Sequence, residues 1–140
     1  MEESARAYAQ FFEQLDRDSL ERIEQLCAPE VRFKDPFNDV TGVAAVRRVF
    51  EKMFEDVDDP AFEVTDIACS GQTAYLRWRF FFRPRKASRQ WRIEGMSEVA
   101  FDTDGRVLSH IDHWDAAGQL YERLPIIGTL LRKIRRRLAA

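Results

Sequence analysis

From residue 61 onward the chain alternates apolar and polar side chains with period two through four successive runs, 61–69, 72–82, 89–101 and 106–115. No other feature limits the fold as strongly, because period two is the spacing of a half-buried strand. The runs are divided by Ser70-Gly71, by Arg83-Pro84-Arg85-Lys86 and by Asp102-Thr103-Asp104-Gly105, all turn-forming segments. Leu76, Trp78, Phe80 and Phe82 alternate with Arg77, Arg79 and Phe81. Trp91, Ile93, Gly95, Ser97, Val99 and Phe101 alternate with Arg92, Glu94, Met96, Glu98 and Ala100. The expected product is a sheet with one apolar and one charged face.

The segments before residue 61 have a different period. Ala5, Tyr8, Phe11, Phe12 and Leu15 recur at helical spacing over roughly residues 3–16, and Leu20, Ile23 and Leu26 form a second short stripe with Asp18 as N-cap and Glu21 three positions on. Pro29 ends that helix. Val31-Arg32-Phe33-Lys34-Asp35 then alternates as a strand, stopped by Pro36, which cannot donate to a sheet ladder. By parity, Val31, Phe33 and Asp35 share a face, so a carboxylate ends this strand on its apolar side. After Thr41-Gly42 comes the clearest helix, with Val43, Val46, Val49, Phe50, Met53, Phe54 and Val57 three or four apart. Three helices followed by antiparallel strands is an α+β order, not a βαβ one.

A chain of 140 residues suits one domain, able to bury a core without disulfides or metals. Eleven phenylalanines suggest a wide apolar interior. Cys27 and Cys69, each in an apolar-periodic segment, read as small buried hydrophobes rather than a disulfide or zinc pair. The acidic opening Met1-Glu2-Glu3-Ser4 leads into no signal-peptide pattern, and no run of 18 apolar residues occurs, so a cytoplasmic location is expected. The net charge of −2 conceals an asymmetry. Residues 118–140 carry six basic residues against Glu122 alone, a net +5, which leaves −7 for the remainder.

The early strand ending in Lys34-Asp35-Pro36-Phe37, the helix after Thr41-Gly42, the turn Phe101-Asp102-Thr103-Asp104-Gly105-Arg106-Val107 and the closing His110-Ile111-Asp112-His113-Trp114-Asp115 together resemble the nuclear transport factor 2-like superfamily, in its ketosteroid isomerase and SnoaL-like polyketide cyclase branch. The resemblance covers roughly residues 5–116. It implies a cone-shaped α+β barrel, with three N-terminal helices on a strongly curved, mostly antiparallel sheet around an apolar pocket. It also implies a homodimer and no cofactor. Asp35 matches the isomerase general base, whereas the isomerase tyrosine falls at Phe11 and its protonated aspartate at Ser97. Two strong oxyanion donors are therefore missing, which argues against steroid isomerisation. In the cyclase branch the base comes from the last strand, where Asp112 is the matching position, with His110 and Trp114 on the same face.

Proton abstraction beside a carbonyl needs a desolvated carboxylate within reach of a substrate carbon and a donor for the developing oxyanion. Asp35 and Asp112 are the candidate bases, with His110 as acid/base partner. Ser97 and Tyr8 are candidate donors. Phe11, Phe33, Phe50, Phe54, Trp78, Phe80 and Trp114 are candidate pocket walls. The competing readings are an Asp-Pro turn for Asp35 and a solvated outer pair for His110 and Asp112, since both alternations of that strand mix polar and apolar residues. No metal is expected: His110, Asp112 and His113 lack a third ligand of matching spacing, with His113 pointing the other way. Arg77 and Arg79 read as an outward stripe more readily than as an anion site.

Residues 1–117 form the expected domain, and 118–140 a basic amphipathic helical extension of it. Leu120, Leu124, Ile127, Leu130, Leu131, Ile134 and Leu138 recur at near-helical spacing, interrupted by Pro125 and Gly128. Such a helix packs on its own domain or dimer mate, or lies on an anionic membrane surface. Nucleic acid is not an expected partner, because no aromatic residue interleaves with the basic cluster. The functional expectation is a cofactor-independent isomerase, cyclase or hydrolase acting on a small hydrophobic carbonyl or epoxide. The competing one is a ligand-binding or scaffold module.

Overall fold

The computed structural model describes residues 1–139, so Ala140, the last residue of the predicted basic extension, lies outside the described residues. The helices α1 (Glu2–Glu13), α2 (Ile23–Leu26) and α3 (Val43–Asp56) precede or interleave with the first strands, β1 (Cys27–Lys34) and β2 (Asp39–Thr41). Then follow β3 (Val57–Ser70), β4 (Thr73–Pro84), β5 (Trp91–Phe101) and β6 (Val107–His113). The chain ends in α4 (Ala116–Gln119) and α5 (Pro125–Leu138). The architecture is the expected α+β one. Its six strands lie in the order β2-β1-β6-β5-β4-β3, antiparallel except for the β1–β6 pair, and the sheet is strongly curved without closing on itself.

Curvature comes from bulges, which add a residue to one strand and bend it. The β3–β4 ladder slips between Asp58 and Ala61 and again between Val64 and Asp66, and the β5–β6 ladder between Ala100 and Phe101. At the first slip Asp59 takes a positive φ of 51°, and its carboxylate accepts a 2.6 Å hydrogen bond from Arg83. Pro60 sits beside this bulge, on an edge strand, where its missing N–H disturbs no central ladder. That is why β3 starts four residues earlier than the alternation predicted. Strand β1 likewise begins at Cys27 and carries Pro29 in a stretch that skips pairing between Cys27 and Arg32. The three-residue β2 is too short to show a period, and sequence reasoning missed it.

Two local readings are corrected. The second helix is not capped by Asp18, which opens a 3-10 turn (Asp18–Arg22) without a side-chain cap. Asp16 and Ser19 bond reciprocally instead, Asp16 N–H to Ser19 Oγ at 2.9 Å and Ser19 N–H to Asp16 Oδ1 at 2.7 Å. Cys27 is buried but Cys69 is exposed, because it lies near the end of the edge strand.

The predicted parity of β4 and β5 holds: Leu76, Trp78, Phe82, Ile93, Ser97, Val99 and Phe101 are buried, and Arg77, Arg92 and Glu94 are exposed. The concave face is filled by α1 and α3. Tyr8, Phe11 and Phe12 of α1 and Val46 and Phe50 of α3 join Phe33, Leu76 and Val99 in the main core. Each such side chain, fully buried, contributes about 1.5–3 kcal/mol. A second, smaller cluster of Trp78, Phe82 and Ile93 occupies the other end of the sheet. Between the two clusters the interior is hollow.

Candidate functional site

The hollow is a cavity of about 630 Å³, within the usual ligand-site range of roughly 300–1,000 Å³. Strands supply Phe33, Val57, Trp78, Phe80, Phe82, Ile93 and Asp112 to its wall. Helix α3 supplies Val49, Phe50, Lys52, Met53 and Asp56, while Asp35, Phe37, Asn38, Trp114 and Leu120 complete it from loops. A second chamber of about 30 Å³ adjoins it, sharing Phe50, Trp78 and Asp112 and adding Ser97 and His110. Asp112 therefore stands on the boundary of both.

Register explains why the polar groups meet there. Ser97 pairs with Asp112 across β5–β6, Leu76 with Ser97 across β4–β5, and Trp78 with Gly95 one step further along. Side chains two residues apart share a face, so His110 and Asp112 both point inward, beside Ser97 and Trp78. Gly95 is required for this packing: a Cβ there would stand 2.6 Å from the Trp78 indole and 2.9 Å from Trp114 Cβ. With no side chain at 95, the indole lies against the strand and aims Nε1 at Ser97.

The result is one hydrogen-bonded chain. Trp78 Nε1 donates to Ser97 Oγ at 2.8 Å, and Ser97 Oγ lies 2.5 Å from Asp112 Oδ1. On the other side Tyr8 OH lies 2.7 Å from His110 Nδ1, and His110 Nε2 lies 2.6 Å from the same Asp112 Oδ1. An indole can only donate, which leaves the single Ser97 hydroxyl hydrogen for Asp112. Burial, with the neighbouring Cys27 and Asp112 charges adding to it, pushes the Tyr8 phenol well above its usual range. Tyr8 thus keeps its proton. The Asp112 carboxylate can only accept, so Nε2–H donates to it, and in the neutral imidazole Nδ1 is left to accept from the Tyr8 hydroxyl. Both arms end on Oδ1. Oδ2 has no hydrogen-bond partner among the described residues, and no partnerless polar side-chain atom there is sealed from solvent.

His110 is 4% exposed and Ser97 2%. The imidazole is boxed by the rings of Tyr8, Phe12 and Phe33, with centroids 5.6, 5.5 and 4.8 Å away. This packing fixes its plane, and the two hydrogen bonds fix its rotation. A buried histidine so held is a rigid positioning group for the carboxylate beyond it.

Asp35 also reaches the cavity wall, but in a different state. Its Oδ1 accepts from Phe37 N–H at 2.8 Å, Asn38 N–H at 2.7 Å and Asn38 Nδ2 at 3.1 Å, and its Oδ2 accepts from the same Nδ2 at 3.1 Å. The carboxylate closes the Pro36-Phe37-Asn38 turn, which is the turn alternative foreseen for an Asp-Pro pair.

Among the other predicted wall residues, Phe33, Phe50, Trp78, Phe80 and Trp114 line the large cavity. Phe11 lies in the closed core and Phe54 packs outside under the Arg17 guanidinium, 5.6 Å from its ring. Neither lines either chamber. Ser97 bonds Asp112 and Tyr8 bonds His110, and neither lines the large cavity. His113 is exposed on the opposite face, 3.3 Å from Glu98. Arg79 pairs outward with Glu63 and Glu94. Sequence reasoning missed Phe37 and Asn38, which come from a loop without a period, and read Leu120 as part of the C-terminal stripe rather than as a wall residue. Val49 and Met53, by contrast, belonged to the α3 stripe and were open to inference from it.

The sequence model of the SnoaL-like domain family matches residues 8–110. Comparison with curated proteins finds no sequence match. Among solved structures, a nuclear transport factor 2-like protein of unknown function from Burkholderia pseudomallei superposes with a TM-score of 0.72 at 15% identity, covering 100% of both chains. A protein with a ketosteroid isomerase-like fold from Catenulispora acidiphila gives 0.72 at 12% identity over 84% of this chain and 89% of its own. A proposed SnoaL-like polyketide cyclase from Jannaschia gives 0.71 at 12% over 82% and 87%. At these identities the likeness is one of fold.

Proposed function

The chain belongs to the SnoaL-like domain family, and from that premise we propose that the cavity is the active site of a cofactor-independent enzyme whose base is Asp112. The observation that carries this reading is the unequal state of the two Asp112 oxygens. Oδ1 is held by Ser97 and His110, while Oδ2 accepts no hydrogen bond among the described residues and is not sealed from solvent, and Asp112 lines the wall of a largely apolar cavity. A general base must be oriented by one set of contacts and open on another side to its proton donor. In Asp112 the two requirements fall on different oxygens.

On a small apolar carbonyl compound, a C–H bond next to the carbonyl breaks, its electrons pass into the enolate, and the proton goes to Oδ2. Return of that proton to a second carbon completes an isomerisation; attack of the enolate carbon on a second carbonyl carbon of the same molecule, whose C=O π electrons pass to its oxygen and take the proton back from Oδ2, completes a cyclisation. Ser97, Trp78, His110 and Tyr8 are positioning residues that hold Asp112 during both transfers. The small chamber favours a second reading. Its volume of about 30 Å³ exceeds the roughly 10–15 Å³ that a site needs to hold one water, and Ser97, His110 and Asp112 line it. With an epoxide in the large cavity, Asp112 would take a proton from water as the water oxygen bonds to an epoxide carbon and the ring C–O bond breaks, and would then return that proton to the released alkoxide to give a diol.

A panel of apolar ketones and epoxides incubated in D₂O and in H₂¹⁸O tests both readings. Deuterium entering a substrate carbon supports proton abstraction, and ¹⁸O entering the product supports hydrolysis. Asp112→Asn should abolish whichever is seen. Unchanged incorporation in a folded Asp112→Asn protein would overturn the assignment. No incorporation, together with tight binding of an uncharged apolar dye, would leave a ligand-binding module.

A further inference from the structure

Helix α5 has a surface that the chemistry at Asp112 does not use. Pro125 opens it, as suits the first turn of a helix, where its missing N–H leaves nothing unpaired. Fourteen residues make it about 21 Å long. One side faces the Tyr121–Arg123 turn: Gly128 lies on the Glu122 carbonyl, where a Cβ would collide, Arg132 donates to the same carbonyl, and Arg135 pairs with the Glu122 carboxylate at 3.0 Å. The next face carries Ile126, Ile127, Leu130, Ile134 and Leu138, all exposed, with Ile126 at 85% and Leu138 at 81%. Lys133, Arg136 and Arg137 are exposed as well, and α5 contains no acidic residue.

We infer that α5 is a membrane-surface helix that holds this protein on an anionic bilayer. A soluble helix turns its apolar stripe to its own core, but here the stripe and the side seated on Glu122 are different faces. A continuous aliphatic stripe bordered only by cations fits a lipid surface, into which such a helix sinks about 5–10 Å with its cations at the headgroups. A chain whose residues 1–117 carry a net −7 and whose residues 118–140 carry a net +5 is thereby oriented, the net acidic part away from the lipid. The seat is also continuous with the cavity. Leu120 is part of its wall, and Tyr121 packs against Phe37, itself 54% exposed at the mouth. The mouth and the docking helix therefore lie on neighbouring segments.

Flotation of the full chain with vesicles of phosphatidylcholine alone, or mixed with phosphatidylglycerol, tests the inference. Binding is expected on the mixed vesicles, weakened by salt. Removing two cations with Arg136→Gln and Arg137→Gln should weaken it about thirtyfold, at roughly fivefold per cation. Leu130→Glu with Ile134→Glu should abolish it while an uncharged apolar dye still enters the cavity, showing that the domain remains folded. Asp112→Asn should float like the parent protein, so failure of the site assignment is read separately. Absence of flotation on mixed vesicles would overturn the inference. So would a self-association that the Leu130 and Ile134 substitutions disrupt without any effect on vesicles, which would assign the face to a second copy.

Discussion

Asp35 and Asp112 are both aspartates on the wall of one cavity, each near the end of an adjacent strand of the β1–β6 pair. They differ in what holds them. Asp35 is bound through both oxygens by the turn that follows it, whereas Asp112 is bound through one oxygen by a relay of side chains and keeps the other free. A carboxylate engaged by backbone N–H groups serves the turn. One engaged from behind by side chains can act on a substrate in front. Proximity to a cavity does not distinguish the two, but the placement of their hydrogen bonds does.

The largest effect expected from this contrast is on rate. Asp112→Asn should lower turnover by about 10²–10⁴-fold, the usual contribution of a general base, while Asp35→Asn, whose amide oxygen can still accept from the turn, should leave it nearly unchanged. Steady-state kinetics on any substrate found by isotope incorporation would check this pair. Gly95→Ala comes next. Its methyl group would displace the Trp78 indole and break the bond to Ser97, costing about 1–3 kcal/mol by overpacking, seen as a lower urea midpoint and altered tryptophan fluorescence. Tyr8→Phe keeps the ring but leaves His110 Nδ1 without its donor. The expected cost is about 1–2 kcal/mol, with a changed pH profile of turnover that a purely structural loss would not produce.

Fold and site were unequally legible in the sequence. The period-two runs fixed β4 and β5 and the face on which Trp78 and Ser97 stand, since a buried sheet face cannot change parity without exposing Phe82 and Ile93. His110 and Asp112 could not be placed in the same way, because Ser109, Ile111 and His113 mix polarity as the even positions do. Only the β5 register, pairing Ser97 with Asp112, turns them inward. The members of the relay were named from the sequence and the resemblance, but the contacts that join them were not. Tyr8 and His110 stand 102 residues apart in the chain, and no local pattern announces their contact. The role of Gly95 is likewise a matter of which ring lies across it.

An effect confined to alkaline pH concerns the packing around Tyr8. Burial pushes the Cys27 thiol from 9.0 up to about 12, and Tyr8 shifts in the same direction. A raised value means that the folded state favours the protonated form. The resulting stability is fully present below the unfolded value, about 9 for the thiol, and is lost as pH rises through the folded one. Urea midpoints should fall across that alkaline window, and less steeply in Cys27→Ala. A midpoint independent of pH there would contradict the burial of both groups.

The assignment of Asp112 as the reacting carboxylate is tested most directly by carboxyl NMR of protein carrying ¹³C-labelled aspartate, titrated with an uncharged apolar phenol as a mimic of an enol. The phenol hydroxyl should donate to the free Oδ2, so the resonance that disappears in Asp112→Asn should move on titration while the one lost in Asp35→Asn stays still. Movement of the Asp35 resonance with a stationary Asp112 would contradict the account and return the base to the end of the first strand.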